Sequence, residues 1–256
     1  GLYTMGDIAR CSIGKDSDYY NEELIYKMFG VNGELVIDHA WGWESCTISD
    51  VKAYKPDSSS LGAGQVLQCP YDFDKAKLIV REMTDALVLD LVDKGLVTNQ
   101  IVLTVGYDRE SLADGHYRGE VVSDRYGRSI PKHAHGTQNL DKHTSSTRKM
   151  IEATMALFDR IFDKTLLARR INLVACNVIM ESDMPESYEQ LSLFDTEETL
   201  QDRADDEKAL EKERALQEAM LTIKHKFGKN AVLKGTNFTE GATAKERNRQ
   251  IGGHKA

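Results

Sequence analysis

The chain has 256 residues, a formal net charge of −8, 29% charged residues and only 7% aromatic ones. That length fits one large domain or two small ones with tails, and the composition implies modest cores joined by solvated segments. No apolar run reaches bilayer length and no signal peptide is seen, so the expectation is a cytoplasmic protein with no membrane partner. Cys11, Cys46, Cys69 and Cys176 are scattered without a Cys-x-x-Cys pair. They read as buried thiols in a reducing compartment rather than a zinc site or disulfide framework.

The charge is uneven: −5 over residues 1–57, +1 over 58–180, −9 over 181–215 and +5 over 216–256. An acidic whole argues weakly against nucleic acid. Much of the acidity, however, sits in one segment, and local basic charge is what a phosphate backbone meets.

In chain order, residues 1–50 predict short helices. Thr4 caps a helix over 5–11 with Asp7 in its first turn; 22–29 is a second, stopped by Gly30; 34–41 is a third, preceded by Gly33. Short helices with Gly-bearing turns suit either a phosphate-holding helical hairpin or a plain packing unit. Residues 51–58, with Lys52, Lys55 and Pro56, predict a tether.

From 58 to 180 the pattern is strand, helix, strand, strand, helix, strand. A strand over 65–68 is entered through the small residues of 58–64, Ser60, Gly62 and Gly64 among them. A helix over 73–94 carries Ala76, Ile79, Val80, Met83, Leu87, Leu91 and Val92 at helical spacing. Ile101, Leu103 and Val105 alternate in a strand over 100–106. After a polar excursion, 108–133, come a strand over 134–139, a helix over 144–163 and a strand over 169–179.

The predicted fold class is therefore α+β. A small helical part (1–50) and linker (51–58) precede a four-stranded βαββαβ domain (59–180) with two helices on one face. An acidic linker (181–199) and a helical and irregular tail (200–256) follow.

Two helices on one side leave the other face of the sheet open. Its candidate residues are Ser60, Gly62, Gly64, Gln65, Lys132, His133, His135, Thr137, Arg169 and Arg170, which are small, polar or basic. No aromatic residue stands where a base-stacking sheet would need one. Small donors with Lys and Arg suit phosphate oxygens, which position without reading sequence; the alternative is an ordinary solvated sheet. His133 and His135 share a strand face, yet no cysteine or carboxylate at ligand spacing accompanies them, so hydrogen bonding is preferred to metal. Asp72 and Asp74 read as helix caps rather than a two-metal pair.

The segments SSSLGAGQVLQCPYDFDKA, AHGTQNLDKHTSSTRKM and LARRINLVACNVI resemble the little-finger domain of Y-family translesion DNA polymerases of the DinB/UmuC group. GLYTMGDIA with LIYKMFGVNGELVIDHAWGWE resembles the later part of that family's thumb. The resemblance covers nearly the whole chain in the family's order, and it implies that the chain begins inside the thumb, after the catalytic palm and fingers. The expected partner is template–primer duplex, with Lys52 and Lys55 near phosphate. The expected enzyme class, DNA-directed DNA polymerase, would belong to the full-length protein with its Mg²⁺. This chain would hold no cofactor, no catalytic residue and no activity of its own.

Within the acidic strip, Gln190, Leu191, Ser192, Leu193 and Phe194 resemble the sliding-clamp-binding peptide of bacterial polymerases and repair proteins. Exposed anchors in a polar segment suit a preformed pocket, which makes the sliding clamp an expected partner. Residues 197–226 predict a helix. The basic tail after it resembles the C-terminal extension of Gram-positive members, and Lys226, Lys229, Lys234, Arg247 and Arg249 are its candidate contacts for nucleic acid or protein. Two rivals stand beside the polymerase reading: a non-catalytic adaptor for clamp and DNA, and a ferredoxin-like protein-interaction module.

Overall fold

The computed structural model describes residues 1–54, 59–113, 115–124, 126–184, 197–251 and 254–255. The chain divides into two compact units, Gly1–Asp57 and Ser58–Ala256.

The first unit is four short helices: α1 (Met5–Cys11), α2 (Glu22–Phe29), α3 (Asn32–Ala40) and α4 (Ile48–Ala53). Thr4 and Asp7 form a reciprocal capping box at the start of α1, as the sequence predicts. Gly30 ends α2 at φ 61, a conformation that favours glycine. Gly33 lies inside the first turn of α3 rather than before it. A Cβ there would stand 3.2 Å from Tyr26 Cα, so the glycine lets α3 approach the backbone of α2. The core is small, with Cys11, Ile25 and Ile37 closed by Leu2 and Ile8. Of the four cysteines expected to be buried only Cys11 is; Cys46 and Cys69 are exposed and Cys176 is partly so. Residues 51–53, expected to begin a tether, are instead the last turn of α4. A second capping box, Thr47 with Asp50, starts that helix, and it ends ahead of Pro56.

The second unit contains β1 (Leu61–Tyr71), α5 (Phe73–Asp93), β2 (Leu96–Tyr107), β3 (Val121–Ser123), β4 (Ser129–Pro131), β5 (Ala134–Thr144), α6 (Thr147–Ile161), β6 (Ala168–Cys176) and β7 (Ile179–Met180). The tail adds α7 (Glu197–Phe227), α8 (Ala244–Arg247), β8 (Gln250–Ile251) and β9 (His254–Lys255).

The main strands run longer than their apolar centres. Hydrogen-bonded pairing extends them into polar residues that carry no hydrophobic signal. The single strand expected over 169–179 is broken at Asn177, which takes φ 52 and turns the chain before β7. Asparagine tolerates this left-handed conformation better than most residues.

The sheet order is β1-β6-β2-β5, with β7 also on β2, and each of these pairings is antiparallel. Hence β1 and β2 are parallel with β6 between them, and β5 and β6 are parallel with β2 between them. Each pair is joined through one helix, α5 or α6. The usual right-handed crossover puts both helices on the same face.

Leu103, Val105, Ile171 and Leu173 point toward the helices and are fully buried there with Met83, Leu87, Leu91, Leu157 and Phe158. At one end Phe158 stacks on Phe162 at 4.8 Å, and Phe73 and Tyr107 meet these rings at 5.3 and 5.4 Å. Asp72 caps α5, accepting from the Lys75 amide at 2.9 Å.

α6 crosses β5 closely over Gly136, where an added Cβ would lie 2.8 Å from both Leu157 and Ile161 side chains. Gly136→Ala is expected to destabilise the unit by about 1–3 kcal/mol through overpacking, and Phe158→Ala by about 3–5 kcal/mol through a cavity. Urea denaturation followed by circular dichroism measures both.

Candidate nucleic-acid interface

Strand alternation sorts the sheet residues without ambiguity. Three helix-facing rows run across the four strands: Leu61–Ala175–Ile101–Gln138, Ala63–Leu173–Leu103–Gly136 and Gln65–Ile171–Val105–Ala134. The rows on the opposite face are Cys176–Gln100–Asn139, Gly62–Val174–Val102–Thr137, Gly64–Asn172–Thr104–His135 and Val66–Arg170–Gly106. These opposite rows contain no acidic and no aromatic residue. Val66, 67% exposed, shows that this face is uncovered at the β1 edge.

Of the residues anticipated for this face, Gly62, Gly64, His135, Thr137 and Arg170 lie on it. His135 Nδ1 pairs with Thr104 Oγ1 at 2.9 Å, which orients the ring along the sheet. Arg170 is exposed, and among the described residues no carboxylate or hydrogen bond engages its guanidinium. His133 is exposed just before β5, its ring 6.4 Å from that of His135. Ser60 is exposed immediately ahead of β1.

Other residues anticipated for DNA contact have partners within the fold or stand elsewhere. Gln65 faces the helices, not the open side, and its Nε2 donates to Thr243 Oγ1 of the tail at 2.8 Å. Its parity within β1 requires this once Gly64 faces outward. Arg169 sits at an irregularity where β1 bows away from β6 between Val66 and Tyr71. Its Nη1 donates to the Gln68 carbonyl at 2.9 Å, and its Nε lies 3.6 Å from Asp108, so its donors are largely used within the fold. Lys132 is held by Glu120 at 2.7 Å, which raises its pKa above the ordinary lysine value. At Gly64 the Asn172 amide fills the space a Cβ would take.

In the first unit Lys52 is exposed on α4. Lys55 and the peptide Gln190–Leu191–Ser192–Leu193–Phe194 lie outside the described residues. Among the described residues no group of three or more His, Cys, Asp or Glu is placed to hold a metal, and no helix is long and apolar enough to cross a membrane.

The sequence did not reveal what the tail does, and it docks on the helix layer. Buried Gln217 of α7 donates to the Ser145 carbonyl and to Thr147 Oγ1, each at 2.9 Å. Glu213 accepts from Ser146 Oγ at 2.6 Å and the Arg148 amide at 2.9 Å, placing a carboxylate at the positive end of α6. Asp206 pairs with Arg148 and Lys149, and the Lys149 contact, first of several, holds its carboxyl below the usual range.

Further along, Glu82 on α5 is buried and accepts from Asn237 Nδ2 at 2.7 Å, the Thr243 amide at 2.9 Å and the Ala244 amide at 3.0 Å. Lys75 with Glu240 and Lys234 with Asp85 reinforce the seam. The only advance signal was Glu82 itself, a charged residue within the apolar face of the helix predicted over 73–94.

The second unit is thus an antiparallel sheet covered by helices on one side, with rows free of carboxylates on the other. Comparison with known proteins supplies the family. Residues 58–193, just over half of the chain, match the impB/mucB/samB family C-terminal domain. The chain belongs to this family, that of the Y-family DNA polymerases.

Among curated relatives, it is 25% identical to the putative UV-damage repair protein UvrX of Bacillus subtilis over 259 aligned residues, covering 100% of this chain and 50% of that protein. It is 26% identical to DNA polymerase IV 2 of Halalkalibacterium halodurans over 257, covering 99% and 51%. The chain thus spans about half the length of these relatives. A solved Y-family DNA polymerase chimera aligns at 12% identity and TM-score 0.40, covering 70% of this chain and 42% of that one.

Because Glu82 serves four donors at once, the Thr243 hydroxyl at 3.4 Å being the fourth, Glu82→Ala is expected to release the tail while leaving the sheet folded. Each buried donor left without its acceptor costs about 1–3 kcal/mol. Hydrogen exchange over residues 236–248 should accelerate at least about tenfold, with exchange in β2 and β6 unchanged.

Proposed function

We propose that this chain is the DNA-gripping part of a Y-family DNA polymerase that copies past damaged template, and that its open sheet face holds template–primer duplex by the phosphate backbone. The observation that carries this reading is the uncovered face itself. Its rows present Gly62, Gly64, Thr104, Thr137, His135, Asn172 and Arg170 with no carboxylate among them. Hydroxyls, amides and a guanidinium fix a phosphate without selecting a base. Four strands about 4.8 Å apart span about 14 Å, comparable with the ~12 Å major groove of B-form DNA. The names of the two relatives, one a repair protein and one a polymerase, support the same reading.

In this reading the chain positions DNA and carries out no bond-making step. Nucleotide transfer and Mg²⁺ belong to the catalytic part of a full-length family enzyme. Residues 190–194 supply the anchor to the sliding clamp, raising the local concentration of the polymerase at primer ends.

Titration of labelled primer–template duplex tests the grip. Affinity is expected to fall about tenfold or more between about 50 and 200 mM salt, the response to two or more neutralised phosphates. Arg170→Gln should weaken binding and make the salt slope shallower by about one. Salt-independent or absent binding defeats the proposal. For the clamp segment, Leu193→Ala with Phe194→Ala is expected to abolish binding to a sliding clamp in surface plasmon resonance while duplex affinity stays within about twofold, since hydrophobic anchors dominate such peptide contacts. Equal loss of both would refute this division of labour.

A further inference from the structure

The tail cations fall into different environments. Lys234 pairs with Asp85, and the Lys226 ammonium lies 5.2 Å over the Phe227 ring. Arg247, at the end of α8, is half-buried, and among the described residues no carboxylate or hydrogen-bond acceptor engages its guanidinium. It feels the charge of Glu82, yet the Glu82 oxygens are already occupied by Asn237, Thr243 and Ala244. Burial pulls the guanidinium below its ordinary basicity, with the Glu82 charge opposing the shift. A cation drawn partly out of water without an ion partner is costly, and an arriving anion removes that cost.

The surroundings say where the anion would come from. On one side Arg247 borders the cleft between α5, α7 and the tail, where Glu82, Asp85, Asp90 and Asp93 stand among Lys224, Lys229 and Lys234 and the charges largely balance. On the other it lines a groove of about 560 Å³ along the free edge of β1. Arg170, Asn172 and Gln68 line the same groove from the sheet, and Gln250 lines it from the tail. Two guanidiniums and, with Gln65, four side-chain amides line one groove, and among the described residues Glu246 is the only carboxylate in its lining.

We propose that the C-terminal tail folds over the β1 edge to complete a subsite for a nucleic-acid phosphate, with Arg247 from the tail and Arg170 from the open face as its two cations. This extends the duplex-gripping reading and rests on it. The docked tail enlarges the interface from the sheet alone to the sheet plus α8, and the Glu82 cap holds the added cation in place.

The test is the salt dependence of duplex binding by the whole chain, compared for the native protein, Arg247→Gln and Arg247→Lys, with hydrogen exchange over α8 confirming that the tail stays docked. Arg247→Gln is expected to weaken binding several-fold at low salt and reduce the slope by about one phosphate, while Arg247→Lys keeps the native slope. Salt-sensitive native binding with an unchanged slope in Arg247→Gln overturns the tail subsite and leaves the open-face reading standing. Failure of Arg247→Lys to keep the slope, with the tail docked, also overturns the subsite. If the native chain shows no salt-sensitive duplex binding, the open-face reading falls and the subsite with it.

Discussion

One-sided burial of an antiparallel sheet is the constraint on which the second unit depends. In β2 and β6, Ile101, Leu103, Val105, Ile171, Leu173 and Ala175 are completely buried, while their neighbours Val102, Thr104, Asn172 and Val174 are not. Both crossovers place their helices over the first set. The second set is then left to meet solvent or a partner, because no other layer of the described residues of this unit lies over it. What makes this face suited to phosphate is as much the lack of carboxylates in its rows as the presence of Arg170.

The tail adds a third layer without disturbing that division. α7 and the segment after it attach through polar contacts: Gln217 and Glu213 to the start of α6, and Glu82, Lys75 and Asp85 of α5 to residues 234–244. A layer joined this way is specified by matched donors and acceptors more than by apolar area. Loss of a single acceptor that serves several donors therefore acts on the whole seam. The arrangement carries the basic end of the chain to the edge of the sheet, although −9 of net charge lies between them in sequence.

Family membership and geometry bear on different questions. The match over residues 58–193 says which kind of domain this is. The positions of Arg169, Lys132 and Gln65 say which of its polar residues are free to act. Two of the expected cations are committed within the fold, Arg169 to Gln68 and Asp108 and Lys132 to Glu120, and Gln65 faces the helices. Charge counted along a sequence overstates charge available to a ligand whenever intramolecular acceptors lie close by.

By itself the sequence determined the α+β class, the order of the main strands and of every helix except α4 and α8, the capping of α1 and α5, and the apolar face of α5. These depend on local periodicity and short-range hydrogen bonds, which adjacent residues carry. Tertiary structure alone decided the β1-β6-β2-β5 order, the outward turn of Arg170, the bow in β1 that recruits Arg169, and the docking of the tail on Glu82. Each of these joins residues tens to more than a hundred positions apart, such as Gln65 with Thr243. Such pairings leave no periodic trace in a sequence, because a donor finds its acceptor only after burial has brought the two segments together.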